Sequence, residues 1–318
     1  MFANNKPYRD FADYLATRFP YKVQKISVNA GFTCPNRDGS KGRGGCTYCN
    51  NQSFSPGYGT PVKTITAQLA DGVHFFSHKY PDMKYLAYFQ SYTTTDDTPP
   101  SLIEKYEEAL AYPGVAGLIV GTRPDCMPGA LLDYFEALSR KTFVLIEYGV
   151  ESTLNRSLER VNRQHSYEES AAMIRTTAAR GIPVGAHLIL GLPGESKEEI
   201  LHHADRLSAL PLTTLKLHQL QIIRHTALAR EYQQLPDSFH LFERDEYIDL
   251  CICFAERLHP DIHIERFTSQ SPKRLLIAPD WGLKNHEMAA RIIKRFREKG
   301  TWQGRLCGCL DVPHPALF

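Results

Sequence analysis

Six short apolar runs, each followed by a longer amphipathic stretch, are what most limits the folds open to this chain. The runs cover residues 23–29 (VQKISVN), 84–90 (KYLAYFQ), 116–121 (AGLIVG), 142–148 (TFVLIEY), 183–190 (PVGAHLIL) and 213–220 (TTLKLHQL). They are rich in Val, Ile, Tyr and Phe or apolar without a break, the pattern of strands covered on both faces. Between them, residues 64–79, 101–111, 129–140, 167–179 and 197–209 repeat apolar positions at three- and four-residue spacing, which predicts helices. Ser166 with Glu169, and Ser196 with Glu199, have the spacing of capping boxes. Such alternation predicts a parallel sheet with right-handed crossovers. Two closures satisfy it: an open (β/α)6 barrel, short of the eight units of a full one, and a doubly wound sheet.

The rhythm changes after about residue 240. Residues 243–258 read as a helix, 261–267 as a strand and 284–299 as a basic helix. Two units are therefore expected: residues 1–240, with an N-terminal helix and the barrel or sheet, and a basic α/β extension over 241–318. The net charge of +2 hides an asymmetry. Between Glu265 and Arg305 ten Lys/Arg oppose four acids, so this segment carries +6 and the remainder −4. With 42% hydrophobic and 23% charged residues, the 318-residue chain is globular rather than disordered. It has no apolar run near the roughly 20 residues that span a bilayer. The start, MFANNKPYRDFADYL, lacks the apolar core of a signal peptide. A reducing, cytoplasmic setting is expected, where cysteines serve metals or catalysis.

Eight cysteines are present, and three stand in one glycine-rich loop after the first strand: Cys34, Cys46 and Cys49, spaced C-x11-C-x2-C. Glycines 39, 42, 44 and 45 let the backbone wrap closely around a bulky group. Three thiolates are one short of a closed zinc site, and the loop holds no histidine. Iron–sulfur clusters also normally take four thiolates, so three leave one iron open. Zinc with a distant fourth ligand remains the plain alternative. Cys251 and Cys253, two apart on a helix, face different ways and read as core. Cys126 reads as structural, and Cys307-Gly308-Cys309 supplies too few ligands for a site alone.

The loop CPNRDGSKGRGGCTYC resembles the cluster loop of the radical S-adenosylmethionine (SAM) superfamily in its long-spaced form. That form is similar to the elongator-type subunit that modifies the tRNA wobble uridine, and more closely to the YhcC/YtqA-like radical SAM family. The likeness runs through YFQSYT (88–93), GTRPD (121–125), NRQH (162–165), GLPGE (191–195), KLH (216–218) and PDW (279–281), in order over roughly residues 8–305. It implies the partial (β/α)6 TIM-like barrel. It further implies a [4Fe–4S] cluster on Cys34, Cys46 and Cys49 whose open iron takes the amino and carboxylate groups of SAM. One-electron reduction then splits the sulfonium into methionine and a 5′-deoxyadenosyl radical, which abstracts hydrogen from a substrate.

The resemblance also places individual residues. Tyr48 would lie near the adenine or pack under the loop. Gln90, at a strand end, would meet the methionine part of SAM. Arg123 and Asp125 would pair with a carboxylate or with each other. Glu151 would accept from ribose hydroxyls, although the family commonly has Gln nearby and this sequence departs from it. Asn162, Arg163 and His165 would approach substrate or fix a helix cap. His187 stands where the superfamily often has Gly, with Ile189 as an apolar contact, Gly191 as a close turn, and Gln221 and Ile222 as backbone contacts to adenine. Lys216 and His218 share one strand face. Lys216, His218 and Arg123 are the candidate catalytic groups, with a buried ion pair as the other reading of Lys216.

The basic segment, with Trp281, Phe296 and Trp302, is a footprint for RNA, although an exposed amphipathic helix satisfies the same pattern. Together with the wobble-uridine likeness it predicts tRNA as substrate and radical modification of a uridine side chain. A reductant protein such as flavodoxin or ferredoxin is implied as partner, and no membrane. A small-molecule or protein substrate is the second reading, and a zinc-dependent RNA-binding module the third.

Overall fold

The computed structural model describes residues 5–53, 59–77 and 82–310. Nine strands are defined: β1 Val23–Val28, β2 Lys84–Phe89, β3 Val115–Thr122, β4 Phe143–Glu151, β5 Val184–Leu190, β6 Thr214–Gln219, β7 Ile222–Ile223, β8 His263–Arg266 and β9 Leu276–Ala278. The helices are α1 Phe11–Arg18, α2 Pro35–Asp38, α3 Ile65–Ser77, α4 Pro99–Ala111, α5 Gly129–Ser139, α6 Asn155–Arg160, α7 Tyr167–Ala179, α8 Lys197–Ser208, α9 Ala227–Gln234, α10 Arg244–Arg257 and α11 Asn285–Glu298. Residues 78 and 79, expected to end the third helix, lie outside the described residues.

The six expected strands pair in parallel and in chain order, β1-β2-β3-β4-β5-β6, and β8 adds a seventh parallel strand beside β6. The sheet is thus the curled partial barrel rather than the doubly wound alternative. The seventh strand comes from the stretch expected as an extension, and α10 packs on both α8 and α11. Strand order alone would leave β1 and β8 as edges, yet Lys25 Nζ on β1 reaches Glu265 Oε2 on β8 at 2.5 Å. Curling has brought the two ends of the sheet within side-chain reach. Both expected capping boxes form, at Ser166/Glu169 on α7 and Ser196/Glu199 on α8.

Apolar residues fill the space between sheet and outer helices, with Ile26, Leu118, Ile146, Leu188 and Leu217 fully or almost fully buried. At one end of the barrel, Phe11, Tyr14 and Leu15 of α1 pack on Leu86, Tyr88, Ile119 and Leu145. The N-terminal helix therefore stops the barrel from below, where the strands begin.

The basic segment looks different in three dimensions. Arg295 holds Asp249 at 2.8 Å, Lys299 lies 3.4 Å from the same carboxylate, and Arg305 holds Glu256 at 2.6 Å. Lys294 is 3.7 Å from Glu298, and Arg266 turns inward to the barrel cavity. Phe296 is fully buried and Trp281 packs on Tyr247, leaving Trp302 exposed. Part of this charge is thus paired with α10, while Lys273, Arg274 and Arg291 are exposed and form no ion pair among the described residues. Among the described residues no helix is long and apolar enough to cross a membrane.

Candidate active site

One cavity, open to solvent, lies at the ends where the strands finish. Its wall is built from strand ends: Gln90 after β2, Thr122 on β3, Gly149 and Glu151 on β4, Ile189 on β5, His218 and Gln219 on β6 and Arg266 on β8. Barrel enzymes place their chemistry at this face because the loops there are free to vary on a rigid frame.

Cys34, Cys46 and Cys49 all line this cavity. Cys34 is the N-cap of α2 and Pro35 its first residue, a position that needs no N–H. The glycines earn their place by contact. A Cβ on Gly42 would stand 2.2 Å from Asn36 Oδ1, and Gly45 has φ +76° with Arg37 Nε 2.7 Å from where its Cβ would be. Asn36 Nδ2 donates toward Cys46 Sγ at 3.6 Å, and Arg163 Nη1 does so at 3.7 Å. Arg37 donates to the Cys49 carbonyl at 2.7 Å. Burial, and then the neighbouring Cys46, push the Cys49 thiol up to about 11.

This donor set fits the cluster better than zinc. Zinc–sulfur bonds of about 2.3 Å crowd the ligands around one point. Among the described residues no fourth His, Cys, Asp or Glu completes a metal-holding group with the three cysteines. Three thiols around a cavity mouth, two N–H groups aimed at one sulfur, and open space beside them suit a larger cluster with one iron left for a ligand.

The segment Asn162–His165 braces the loop. Asn162, with φ +56°, donates to the carbonyls of Gly45 and Arg43 at 2.9 and 3.2 Å. Arg163 donates to the Gly149 carbonyl at 2.6 Å and lies 3.7 Å from Glu151. His165 is buried against Ser166 and Ser170, and burial, then Arg163, depress it to about 3. Asn162 and Arg163 thus hold the cysteine loop itself, a role outside the two expected for them.

Most of the expected SAM-side residues share the cavity. Tyr48, Gln90, Glu151, His187, Ile189 and Gln221 line it. Gln90 donates to Ser27 at 2.8 Å, and Gln221 accepts from Ser271 at 2.8 Å. Glu151 stands at φ +67° where the β4–β5 register shifts, a bulge that re-aims its side chain. Ile222 and Gly191 stay out of the wall. Ile222 is fully buried on β7, which pairs with β9, and Gly191 at φ +88° lets the Phe242 ring come within 2.8 Å of its Cβ position. Both serve packing.

Beneath the cavity lies a charged floor inside the barrel. Glu147 on β4 takes Lys216 at 2.5 Å, His187 at 3.0 Å and Lys25 at 3.3 Å. Lys216 also reaches Glu265 at 3.1 Å and the Tyr88 hydroxyl at 2.8 Å. Burial opposes ionisation of Glu147, but Lys216 and Lys25 hold its carboxyl well below the ordinary range. Burial lowers Lys216 to about 8 against the pull of Glu147 and Glu265. Lys216 is only 2% exposed and absent from the cavity wall, so its surroundings match the buried ion pair rather than a group facing substrate. His218 does line the wall; burial, then Arg266, keep its imidazole neutral.

Arg123 lines the cavity at 2% exposure and grips Asp125 with two bonds of 3.0 Å. Burial alone would raise Asp125, but Arg123 and Lys41 hold it well below its usual value. The two residues pair with each other, and Arg123 Nη1 is left buried with no hydrogen bond.

Sequence reasoning missed Asn36, Arg37, Gln219, Ser271 and Arg266. Gln219 had a usable signal, since it ends a strand just as Gln90 does. Arg266 was hidden among the surface cations of the basic segment.

Comparison with known proteins agrees with this site. The profile of the Radical SAM superfamily matches residues 33–207, and that of the Radical_SAM C-terminal domain matches 212–298. The uncharacterized protein YtqA of Bacillus subtilis is 30% identical over 300 residues, 94% of this chain and 92% of that protein. The tRNA uridine(34) acetyltransferase of Methanocaldococcus infernus is 24% identical over 219 residues, 66% of this chain and 38% of that protein. The solved structure of the archaeal M. infernus Elp3 lacking its N-terminus (1–46) superposes with a TM-score of 0.67 at 16% identity, over 89% of this chain and 64% of that one. That last likeness concerns the fold.

Proposed function

This chain belongs to the radical SAM superfamily, whose enzymes use a [4Fe–4S] cluster and SAM, and from that premise we propose that it modifies a uridine side chain in tRNA. Cys34, Cys46 and Cys49 are the cluster ligands in this reading. When bound, the cluster and SAM supply one-electron cleavage of the sulfonium and hydrogen abstraction from the substrate. The protein's own contribution is placement and shielding. Asn36 and Arg163 fix Cys46, and Tyr48, Gln90, Glu151, Ile189 and Gln221 form the wall that receives SAM. Arg123 and His218 face the substrate, and Lys216 positions Glu147 and Tyr88 from below. The electron comes from a reductant protein such as flavodoxin or ferredoxin.

The observation that supports tRNA most directly is the charge around the mouth. Arg37 lines the cavity and Arg43 stands on the cysteine loop. Arg224 follows β7, its carbonyl bonded by the cavity residue Asn50 at 3.0 Å, and Lys273 and Arg274 follow the cavity residue Ser271. All five are exposed, and among the described residues none is ion-paired. A rim of cations without acidic partners around a catalytic opening attracts a phosphate backbone. The relative named as a tRNA uridine(34) acetyltransferase supports the same class.

Anaerobic reconstitution tests the first half: iron and sulfide should load, and reduction should cleave SAM. The nucleoside profile of tRNA from a deletion strain tests the second. A missing or precursor uridine derivative is expected, and an unchanged profile sinks the tRNA reading while leaving SAM cleavage intact.

A further inference from the structure

The barrel floor carries more positive than negative charge. Lys25, Lys216 and Arg266 point inward, against the carboxylates of Glu147 and Glu265. Both carboxylates are already taken by the two lysines. Among the described residues the one further acid on the cavity wall, Glu151, sits by Arg163. Among the described residues Arg266 bonds only His218, its Nη2 3.3 and 3.2 Å from the two ring nitrogens, and its buried Nε has no hydrogen bond.

The backbone is arranged to put this cation there. Leu215 pairs with Ile264 and Lys216 with Arg266, so Glu265 is an extra residue in β8. Neighbours on a regular strand face opposite ways. The bulge lets Glu265 reach the lysines while Arg266, next in sequence, reaches the cavity. A bulge beside a cavity that re-aims a charged side chain is characteristic of functional sites. An inward guanidinium with no carboxylate is costly unless an anion joins it. Its planar fork suits a carboxylate or a phosphate.

We propose that Arg266 is the binding group for an anionic substituent of the substrate, a phosphate or carboxylate held at the β8 side of the cavity. The proposal rests on the cavity being the reaction site, not on the substrate being tRNA. Arg37 and Arg163 stand beside the cysteines, on α2 and after α6, whereas Arg266 stands on β8, and the anion meant here is distinct from the carboxylate of SAM.

The test uses the reconstituted full chain with SAM bound, titrated at constant ionic strength with inorganic phosphate and, separately, acetate. The readouts are the ¹⁵N ring signals of His218, the melting temperature, and SAM affinity by calorimetry. In the wild type one or both anions should shift the His218 signals saturably and raise the melting temperature. Arg266→Gln should abolish both responses, melt no lower than wild type without added anion, and bind SAM within about twofold. Arg266→Lys, which keeps the charge but not the fork, should respond more weakly. Equal responses in wild type and R266Q would mean screening only and overturn the site. A tenfold loss of SAM affinity in R266Q would assign Arg266 to the SAM carboxylate and overturn it as well. Should R266Q fail to fold, an R266K response equal to wild type would count against a fork-binding site. Absence of SAM binding in the wild type would instead defeat the proposed function.

Discussion

Arg163 Nη1 lies 3.7 Å from Cys46 Sγ while Nη2 of the same guanidinium donates to the Gly149 carbonyl at 2.6 Å. One side chain thereby ties the end of β4 to a sulfur proposed as a cluster ligand. Positive charge and an N–H donor beside a thiolate ligand favour the more reduced cluster. Arg163→Met should lower the midpoint potential of the reconstituted cluster, read by electron paramagnetic resonance during redox titration. A shift on the order of 60 mV corresponds to a tenfold change in the one-electron equilibrium. An unchanged potential would reduce Arg163 to a brace.

Cys34→Ala, Cys46→Ala or Cys49→Ala should each prevent loading of iron and sulfide and remove SAM cleavage. Cys126→Ala and Cys253→Ala should load normally, since neither lines the cavity. Iron content and the cluster's visible absorption check both halves. A normal cluster in C34A would contradict the ligand assignment.

Glu147 gives a pH signature. Its folded pKa lies well below the ordinary 4.5, under the net influence of Lys216 and Lys25 against burial. The stability it contributes is therefore present above pH 4.5 and is lost as pH falls toward the folded value. Glu147→Gln should destabilise the metal-free chain by about 3–5 kcal/mol near neutrality, because two lysines lose a buried partner. The gap to wild type should close below pH 4.5. Urea midpoints from pH 3 to 7 measure it, and a gap independent of pH would refute the assignment.

Arg224→Gln, Lys273→Gln and Arg274→Gln combined should weaken tRNA binding and flatten its salt dependence by about 0.7–0.9 in log–log slope per lost phosphate contact. Lys294→Gln with Arg295→Gln should leave binding nearly unchanged, since these two side chains are paired with Glu298 and Asp249. Filter binding over a salt series separates the rim from the helix.

Local pattern carried the six barrel strands, whose unbroken apolar runs can only be satisfied inside a sheet covered on both faces. It also carried both capping boxes and the three cysteines. It could not show that residues 263–266 complete the same sheet, because that pairing joins β8 to a strand some fifty residues earlier. Nor could it show which cations of the basic segment are paired. Arg295 and Arg305 find Asp249 and Glu256 on α10, outside the window over which charge was counted. Lys216 was seen to need a partner; that it needs two carboxylates and a tyrosine from three other strands follows only from curvature.

The stopper formed by α1 has a kinetic consequence. With Phe11, Tyr14 and Leu15 filling the end where the strands begin, in the proposed reading SAM, substrate and both products share the mouth lined by the cysteine loop and β8. A substrate broad enough to rest on the basic rim covers that mouth while it is bound. In that reading turnover would have a compulsory order, with SAM first in and its fragments last out. A saturating macromolecular substrate should slow exchange of the cleaved nucleoside, so the enzyme would be inhibited by an excess of the molecule it modifies.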